Sequence, residues 1–346
     1  MKILMVGLGG IGQRHVRNLL TLLPSDEVEI IAYRVRGLQG VITDQLTPES
    51  NVIVEEIYKI STYDDLDKAL AEQPVAAFIC NPSSMHIPAA LVAARAGCHL
   101  FIEKPLSHCY EGIEELIALL EKKNKMGFVG YQMRFHPALQ KLRELLSHRV
   151  IGRILSVRVE VGEYLPGFHP YEDYRQLYAA RKALGGGVIL SQIHEMDYIY
   201  WFFGLPRRIF TLGGHLSHLE INVEDIASIL MECFMDGQVV PVHLLMDFIQ
   251  QPPSRTCQVI GDKGKILLDF HVPTVQVFNK YGQLTETHTY ENFQRNDMFL
   301  DEMRHFLDCL HGKSKPLISL RDGAQSLKMA LAALESLDTG RVMELS

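Results

Sequence analysis

The chain has 346 residues, 47% hydrophobic and 22% charged, which is enough apolar content for two packed domains and excludes a disordered chain. Its net charge is −7 and its 34 basic residues are scattered with no run of five, which excludes a nucleic-acid surface. No apolar run approaches the roughly 20 residues of a membrane span. The six cysteines (Cys80, Cys98, Cys109, Cys233, Cys257, Cys309) show no CxxC spacing and no dense framework, so they are expected to be reduced, mostly buried and free of metal, in a cytoplasmic protein. The apolar N-terminal run carries four glycines and no small-residue cleavage site, unlike a signal peptide.

The first predicted strand, Ile3–Val6, runs into Gly7-Leu8-Gly9-Gly10-Ile11-Gly12, a G-x-G-x-x-G placed between a strand and the helical pattern Gln13–Leu23. Each glycine has a task in dinucleotide binding. Gly7 permits the tight turn, Gly9 lets a pyrophosphate approach bare backbone, and Gly12 lets the helix pack on the strand. The phosphates would rest on free amides at the helix N-terminus, Gly10 and Ile11 among them. Strand patterns Val28–Tyr33, Val75–Cys80, His99–Ile102 and Gly127–Gly130 then alternate with helical patterns Tyr63–Ala71, Pro88–Ala96 and Tyr110–Lys123. That alternation predicts a doubly wound parallel sheet.

The second strand ends in Tyr33-Arg34, with Arg36 nearby and no Asp or Glu to receive a ribose 2′-hydroxyl. A guanidinium matches a 2′-phosphate, so NADP(H) is favoured, with NAD(H) possible if Arg34 only stacks on the adenine. Lys104 follows the strand His99–Ile102, at the carboxyl edge where open α/β sheets bind ligands. There it could steady a substrate hydroxyl as a proton moves, and Pro105 fixes the chain beside it.

After the helical pattern Phe135–Ser147 the texture changes. Ile154–Val161, Asp225–Phe234, Val239–Asp247, Thr256–Ile260 and Lys265–Phe270 read as strands, and Gly261-Asp262-Lys263-Gly264 as a hairpin turn. Two helical patterns, Phe299–Leu310 and Asp322–Ser336, close the chain. The expected organisation is a dinucleotide-binding domain over 1–130 and a substrate and dimerisation domain over 131–346 with a large open, mostly antiparallel sheet. The final helices could pack back on the first domain. Between strand and triple glycine, the segment from Glu163 to Arg175 is rich in aromatic and charged groups. Tyr164, His169 and Tyr174 would wall a sugar and Arg175 would hold a carboxylate or phosphate; the alternative is a surface loop or dimer contact. His194, Asp197 and Trp201 share one helical face by their spacing, and a neutral imidazole is suited to general-base work near neutral pH.

Taken together, Gly7 to Gly12 with His15, Asn81-Pro82-Ser83-Ser84-Met85-His86, Ala96-Gly97-Cys98-His99, Glu103-Lys104-Pro105, Gly185-Gly186-Gly187, His194-Glu195-Met196-Asp197 and Ser319-Leu320-Arg321-Asp322-Gly323 resemble the Gfo/Idh/MocA family of NAD(P)-dependent sugar and polyol oxidoreductases. The resemblance implies a Rossmann N-terminal domain and an α/β C-terminal domain whose open sheet makes a homodimer or homotetramer contact. It implies that Lys104 is the catalytic lysine and His194 the base that takes the hydroxyl proton. It further implies that Asn81, Pro82 and His86 line the cofactor cleft, that Glu103 lies by the nicotinamide ribose, and that Arg134 enters the substrate cleft. Many members carry an aspartate four residues before the histidine. Here that position is Leu190, or Ser191 counted from the glycines, which leaves Asp197 or Glu195 to orient His194. The implied activity is hydride transfer between nicotinamide and a secondary alcohol or ketone of a sugar, amino sugar or sugar nucleotide. The alternatives are a lyase or epimerase that uses its cofactor transiently, and a redox sensor that keeps the cofactor site without catalysis.

Overall fold

The computed structural model describes residues 1–24, 26–35, 40–43, 48–49 and 52–345. The chain divides into two compact units, Met1–Tyr131 with Asn296–Ala324 and Gln132–Arg295 with Gln325–Ser346.

The first unit is built on eight strands: β1 (Lys2–Val6), β2 (Glu29–Tyr33), β3 (Val41–Ile42), β4 (Pro48–Glu49), β5 (Ser61–Tyr63), β6 (Ala76–Ile79), β7 (His99–Glu103) and β8 (Gly127–Gly130). Six of them form one sheet in the order β5-β2-β1-β6-β7-β8, every pair parallel, while β3 and β4 make a separate antiparallel pair. Helices α1 (Gly10–Leu22), α2 (Val54–Tyr58), α3 (Leu66–Ala71), α4 (His86–Arg95) and α5 (Ile113–Lys122) supply the crossovers. This is the doubly wound Rossmann arrangement, and the order of strands reverses between β1 and β6. Strands covered on both faces read as unbroken apolar runs, as in the fully buried Ala76–Ile79.

Register places Phe78, Phe101 and Phe128 side by side across β6, β7 and β8. Their rings stack at 4.8 and 5.4 Å between centroids. Phe306, from the late helix Arg295–Leu310, sets its edge against all three. The late segment is also tied to α1. Arg14 donates to Asn296 Oδ1 at 2.8 Å, and Asn296 donates to Asn18 Oδ1 at 2.9 Å. Residues 296–324 therefore complete the core of the first unit.

The second unit contains α6 (Pro137–Ser147), β9 (Ile154–Gly162), α7 (Val188–Ser191), α8 (His194–Phe203), β10 (Arg208–Gly214), β11 (Ile226–Met235), β12 (Gln238–Asp247), β13 (Ser254–Gly261), β14 (Gly264–Asp269), β15 (Thr274–Asn279), β16 (Leu284–Thr289) and β17 (Met343–Glu344). The strands form one nine-stranded sheet in the order β16-β15-β14-β13-β9-β12-β11-β10-β17. Only β9 and β12 pair in parallel. Gly261 lies opposite Gly264, so Asp262 and Lys263 form the expected two-residue hairpin turn. Period-two patterning gives the sheet one covered face, against which α7 and α8 pack over β11 and β12 and α6 over β14 and β15. The opposite face carries Phe210, Leu212, Leu230, Phe234, Val239 and Leu245, none of them buried. The helices Arg295–Leu310 and Leu320–Thr339 are α9 and α10.

Candidate active site

At the end of β1 the backbone turns through Gly7 at φ +102°, a region that favours glycine. A Cβ on Gly12 would lie 2.3 Å from the Gly7 carbonyl oxygen, so only glycine lets α1 start this close to the strand. A Cβ on Gly9 would meet nothing within 4 Å, so that glycine faces open space. Gly9 is also the N-cap of α1 and no side chain caps the helix. The first intrahelical bond runs from Gln13 N to Gly9 O at 2.9 Å, so the amides of Gly10, Ile11 and Gly12 precede the ladder. A bare, uncapped helix start beside open space fits a pyrophosphate. Buried Gln13 braces the loop, donating to the carbonyls of Leu8 and Gly40 and accepting from Ile42 N.

Two strands away, β7 delivers Glu103 and Lys104, followed by a cis peptide to Pro105. Glu103 is buried; its Oε1 lies 2.6 Å from His15 Nε2, and its Oε2 accepts from Lys104 N at 3.2 Å. His15 is fully buried among Phe78, Phe101 and Phe299. His86 has a backbone carbonyl beside each ring nitrogen, Pro105 O at 2.9 Å from Nδ1 and Asn81 O at 2.8 Å from Nε2. Burial pushes its pKa down against the pull of those carbonyls. It fixes the paths of Asn81-Pro82 and of the Lys104-Pro105 turn. Asn81 Oδ1 is buried with no hydrogen-bond partner among the described residues, which leaves an acceptor for a ligand donor.

In the second unit the triple glycine enters α7, and α8 begins at His194, which is buried. Gln132, from the 3₁₀ turn Gln132–Phe135, brings its Nε2 to 3.1 Å from His194 Nε2. The acidic neighbours expected to orient the histidine are committed elsewhere. Asp197 takes a two-point bond from Arg134, Nε to Oδ2 and Nη2 to Oδ1 both at 2.8 Å, and a third from Ser326 at 3.0 Å. Glu195 takes a two-point bond from Arg255 at 2.7 and 3.0 Å, and burial pushes its carboxyl up while that guanidinium pulls it back. Gln132 is thus a neighbour of His194 that sequence reasoning passed over. It adjoins Arg134 in the chain, but its contact with His194 spans 62 positions and leaves no local signal.

A family model described as the oxidoreductase family with an NAD-binding Rossmann fold matches residues 1–131, and one described as the GFO/IDH/MocA C-terminal domain matches residues 139–267, together well over half the chain. The chain belongs to the Gfo/Idh/MocA oxidoreductase family. Myo-inositol 2-dehydrogenase of Thermotoga maritima is 26% identical over 354 aligned residues, covering 100% of this chain and 98% of that protein. The 2,7-anhydro-N-acetylneuraminate hydratase of Escherichia coli is 24% identical, over 80% of this chain and 75% of the hydratase. The WlbA dehydrogenase from Bordetella pertussis, solved with NADH and UDP-GlcNAcA, has the same fold with a TM-score of 0.79 at 20% identity, covering 100% of this chain and 99% of that one.

In this Gfo/Idh/MocA chain several expected ligand contacts have other work. Arg134 and Asp197, expected to meet substrate, are 2% and 1% exposed and form a buried ion pair. Arg175, expected to grip an anion, is bonded to Asp173 and Glu220 on the surface. Tyr174 OH accepts from Glu220 N at 3.1 Å, pinning the same loop. Tyr164 is exposed, and half-buried His169 meets Tyr171 OH at 2.7 Å, with burial pushing its imidazole pKa down. Arg34, the residue after β2, is ion-paired with Glu55 of α2. Arg36 lies outside the described residues. Among the described residues no cluster of metal-binding side chains occurs, and no helix is long and apolar enough to cross a membrane.

Breaking a buried ion pair strands a charge in the core. Arg134→Ala should cost about 3–5 kcal/mol in urea unfolding, and the paired replacement Arg134→Met with Asp197→Leu should recover most of it. Equal losses in the single and double variants would refute the structural role.

Proposed function

We propose that the protein oxidises a secondary alcohol of a sugar, amino sugar or sugar nucleotide to the ketone, or runs the reverse reaction. The observation that carries this is the uncapped start of α1 facing open space at Gly9, in a unit where Lys104 directly follows β7. When bound, the nicotinamide supplies the hydride acceptor or donor. Gly10, Ile11 and Gly12 would hold the pyrophosphate by their amides. Asn81 Oδ1 would accept from a ligand hydroxyl. Lys104 steadies the substrate oxygen with its charge, and His194 takes the hydroxyl proton as the carbon gives up its hydride. The C–H and O–H bonds break, the C=O bond forms, and the proton rests on the imidazole. Tyr164 and His169 are proposed as the sugar-facing side chains of the loop after β9. The myo-inositol dehydrogenase relative and the WlbA structure support a carbohydrate substrate.

NAD(H) is the cofactor that the described residues favour. Arg34 already has a carboxylate on it, so a 2′-phosphate must displace Glu55 or face its charge. The family description and the NADH in WlbA support the same reading. A second reading, transient oxidation followed by elimination or epimerisation and re-reduction, is favoured by the similarity to a hydratase. The uncovered sheet face around Leu230 and Phe234 is proposed as a self-association surface, in a chain of net charge −7 that carries this apolar patch.

A nicotinamide-absorbance screen over polyols, sugars and sugar nucleotides tests the main reading. Turnover should fall by at least about a thousandfold in Lys104→Met while NADH still binds. Product formed without any net absorbance change would select the transient-cofactor reading instead. For the cofactor, Glu55→Gln should tighten NADPH binding by about tenfold and leave NADH nearly unchanged, as read by fluorescence titration. A loss of both affinities would count against it. For the sheet face, Leu230→Asp should shift the light-scattering mass from oligomer to single chain; a wild-type protein that is already monomeric would dismiss that surface.

A further inference from the structure

We propose that Gln132 is the positioning residue for His194, and that the uncharged amide it offers keeps this base unprotonated down to a lower pH than a carboxylate would. The inference rests on the reading of His194 as the proton acceptor.

Three features of the second unit carry it. First, both partners are buried, at 6% exposure each, and their nitrogens lie 3.1 Å apart. Second, the contact is held from both sides. The bidentate Arg134–Asp197 pair joins the same 3₁₀ turn to the same helix, two residues beyond Gln132 and three beyond His194. The amide therefore meets the ring in a fixed register. Third, Gln132 Oε1 is buried with no hydrogen-bond partner among the described residues. The two ends of a carboxamide exchange by a half-turn about one bond. With nitrogen toward the ring, the amide donates to the Nε2 lone pair. With oxygen toward the ring, it accepts from Nε2–H. Only the second orientation leaves the other ring nitrogen, Nδ1, to take the substrate proton; the amide then holds Nε2–H in the same tautomer before and after the transfer, and in neither state does it bring a charge.

The electrostatic surroundings point the same way. His194 is the first residue of α8, where the positive end of the helix dipole disfavours an imidazolium. On its own helix, Glu195 is bonded to Arg255 of β13 and Asp197 to Arg134 of the 3₁₀ turn. The inward face of β11 presents Ala227, Ile229, Met231 and Cys233, and burial pushes the Cys233 thiol up to about 12, so it is uncharged. The inward face of β12 presents Val240, Val242, Leu244 and Met246, and α7 carries no ionisable side chain.

The test compares wild type, Gln132→Glu and Gln132→Met as full-length, cofactor-loaded protein. His194 is followed by nitrogen-15 NMR, its signal assigned with His194→Asn, and the pH profile of kcat/KM is recorded beside it. In Gln132→Glu, a carboxylate at hydrogen-bond distance should raise the His194 pKa by about one unit or more and move the acidic limb by the same amount. Activity lost at neutral pH should return at alkaline pH. In Gln132→Met, kcat should fall by about tenfold with KM for NADH unchanged, and the tautomer preference of His194 should be lost. If Gln132→Glu does not fold, the Met variant decides by its tautomer signal. An unmoved limb and an unmoved His194 resonance overturn the proposal. Full turnover in His194→Asn would instead overturn the base reading, while the NMR titration still reports on the amide.

Discussion

The parallel register of β1 between β2 and β6 is the constraint on which the nucleotide end of the molecule depends. Val6 lies beside Tyr33 on one side and Ile79 on the other, so the chain leaves all three strands at one edge. Gly7, Arg34 and Cys80 are the next residues, and a Cβ on Gly7 would press on the Cys80 carbonyl at 3.0 Å. The same edge, one strand further, delivers Glu103 and Lys104 from β7. Gly7, Arg34, Cys80 and Lys104 come to one edge as consequences of one hydrogen-bonded ladder with the crossover hand of α/β sheets.

Buried charge is handled here by pairing. Arg134 with Asp197 and Arg255 with Glu195 each form a two-point bond, the geometry in which a guanidinium loses least on leaving water. Such pairs add little net stability relative to apolar residues of the same volume, but they penalise every arrangement that separates them. Both sit on α8, one and three residues past His194, so they fix the pose of the helix that carries this histidine.

Much of this was legible in the sequence because it is local. The glycine loop, the strand-helix alternation, the Gly261–Gly264 hairpin and the lysine after β7 are each written in a few consecutive residues. The short final strand β17 and the polar edge strand β16, LTETHT, lack the apolar alternation that marks a strand, and they form only because the sheet offers neighbours. The polar residues Gln13, Arg14 and His15 open the helical pattern, and all three are buried, each met by a partner. Arg34 looks like a phosphate receptor until Glu55, 21 residues later, is seen to meet it. Arg134, Asp197 and Gln132 share this property: their roles are set by contacts more than 60 positions away. Spacing within one helix correctly placed His194 and Asp197 near each other and could not say that their side chains serve different partners.

The ladder of Phe78, Phe101 and Phe128 is covered by Phe306, 178 to 228 residues downstream of the rings it covers. During synthesis these three rings therefore leave the ribosome without the Phe306 cover, and they stay without it while β9 to β16 of the second unit are made. A chain that grows from one end makes such a unit dependent on chaperones or on delayed collapse, since exposed apolar rows are where growing chains aggregate. The order of assembly is thus set by the topology: the nucleotide-binding unit begins first and is completed nearly last.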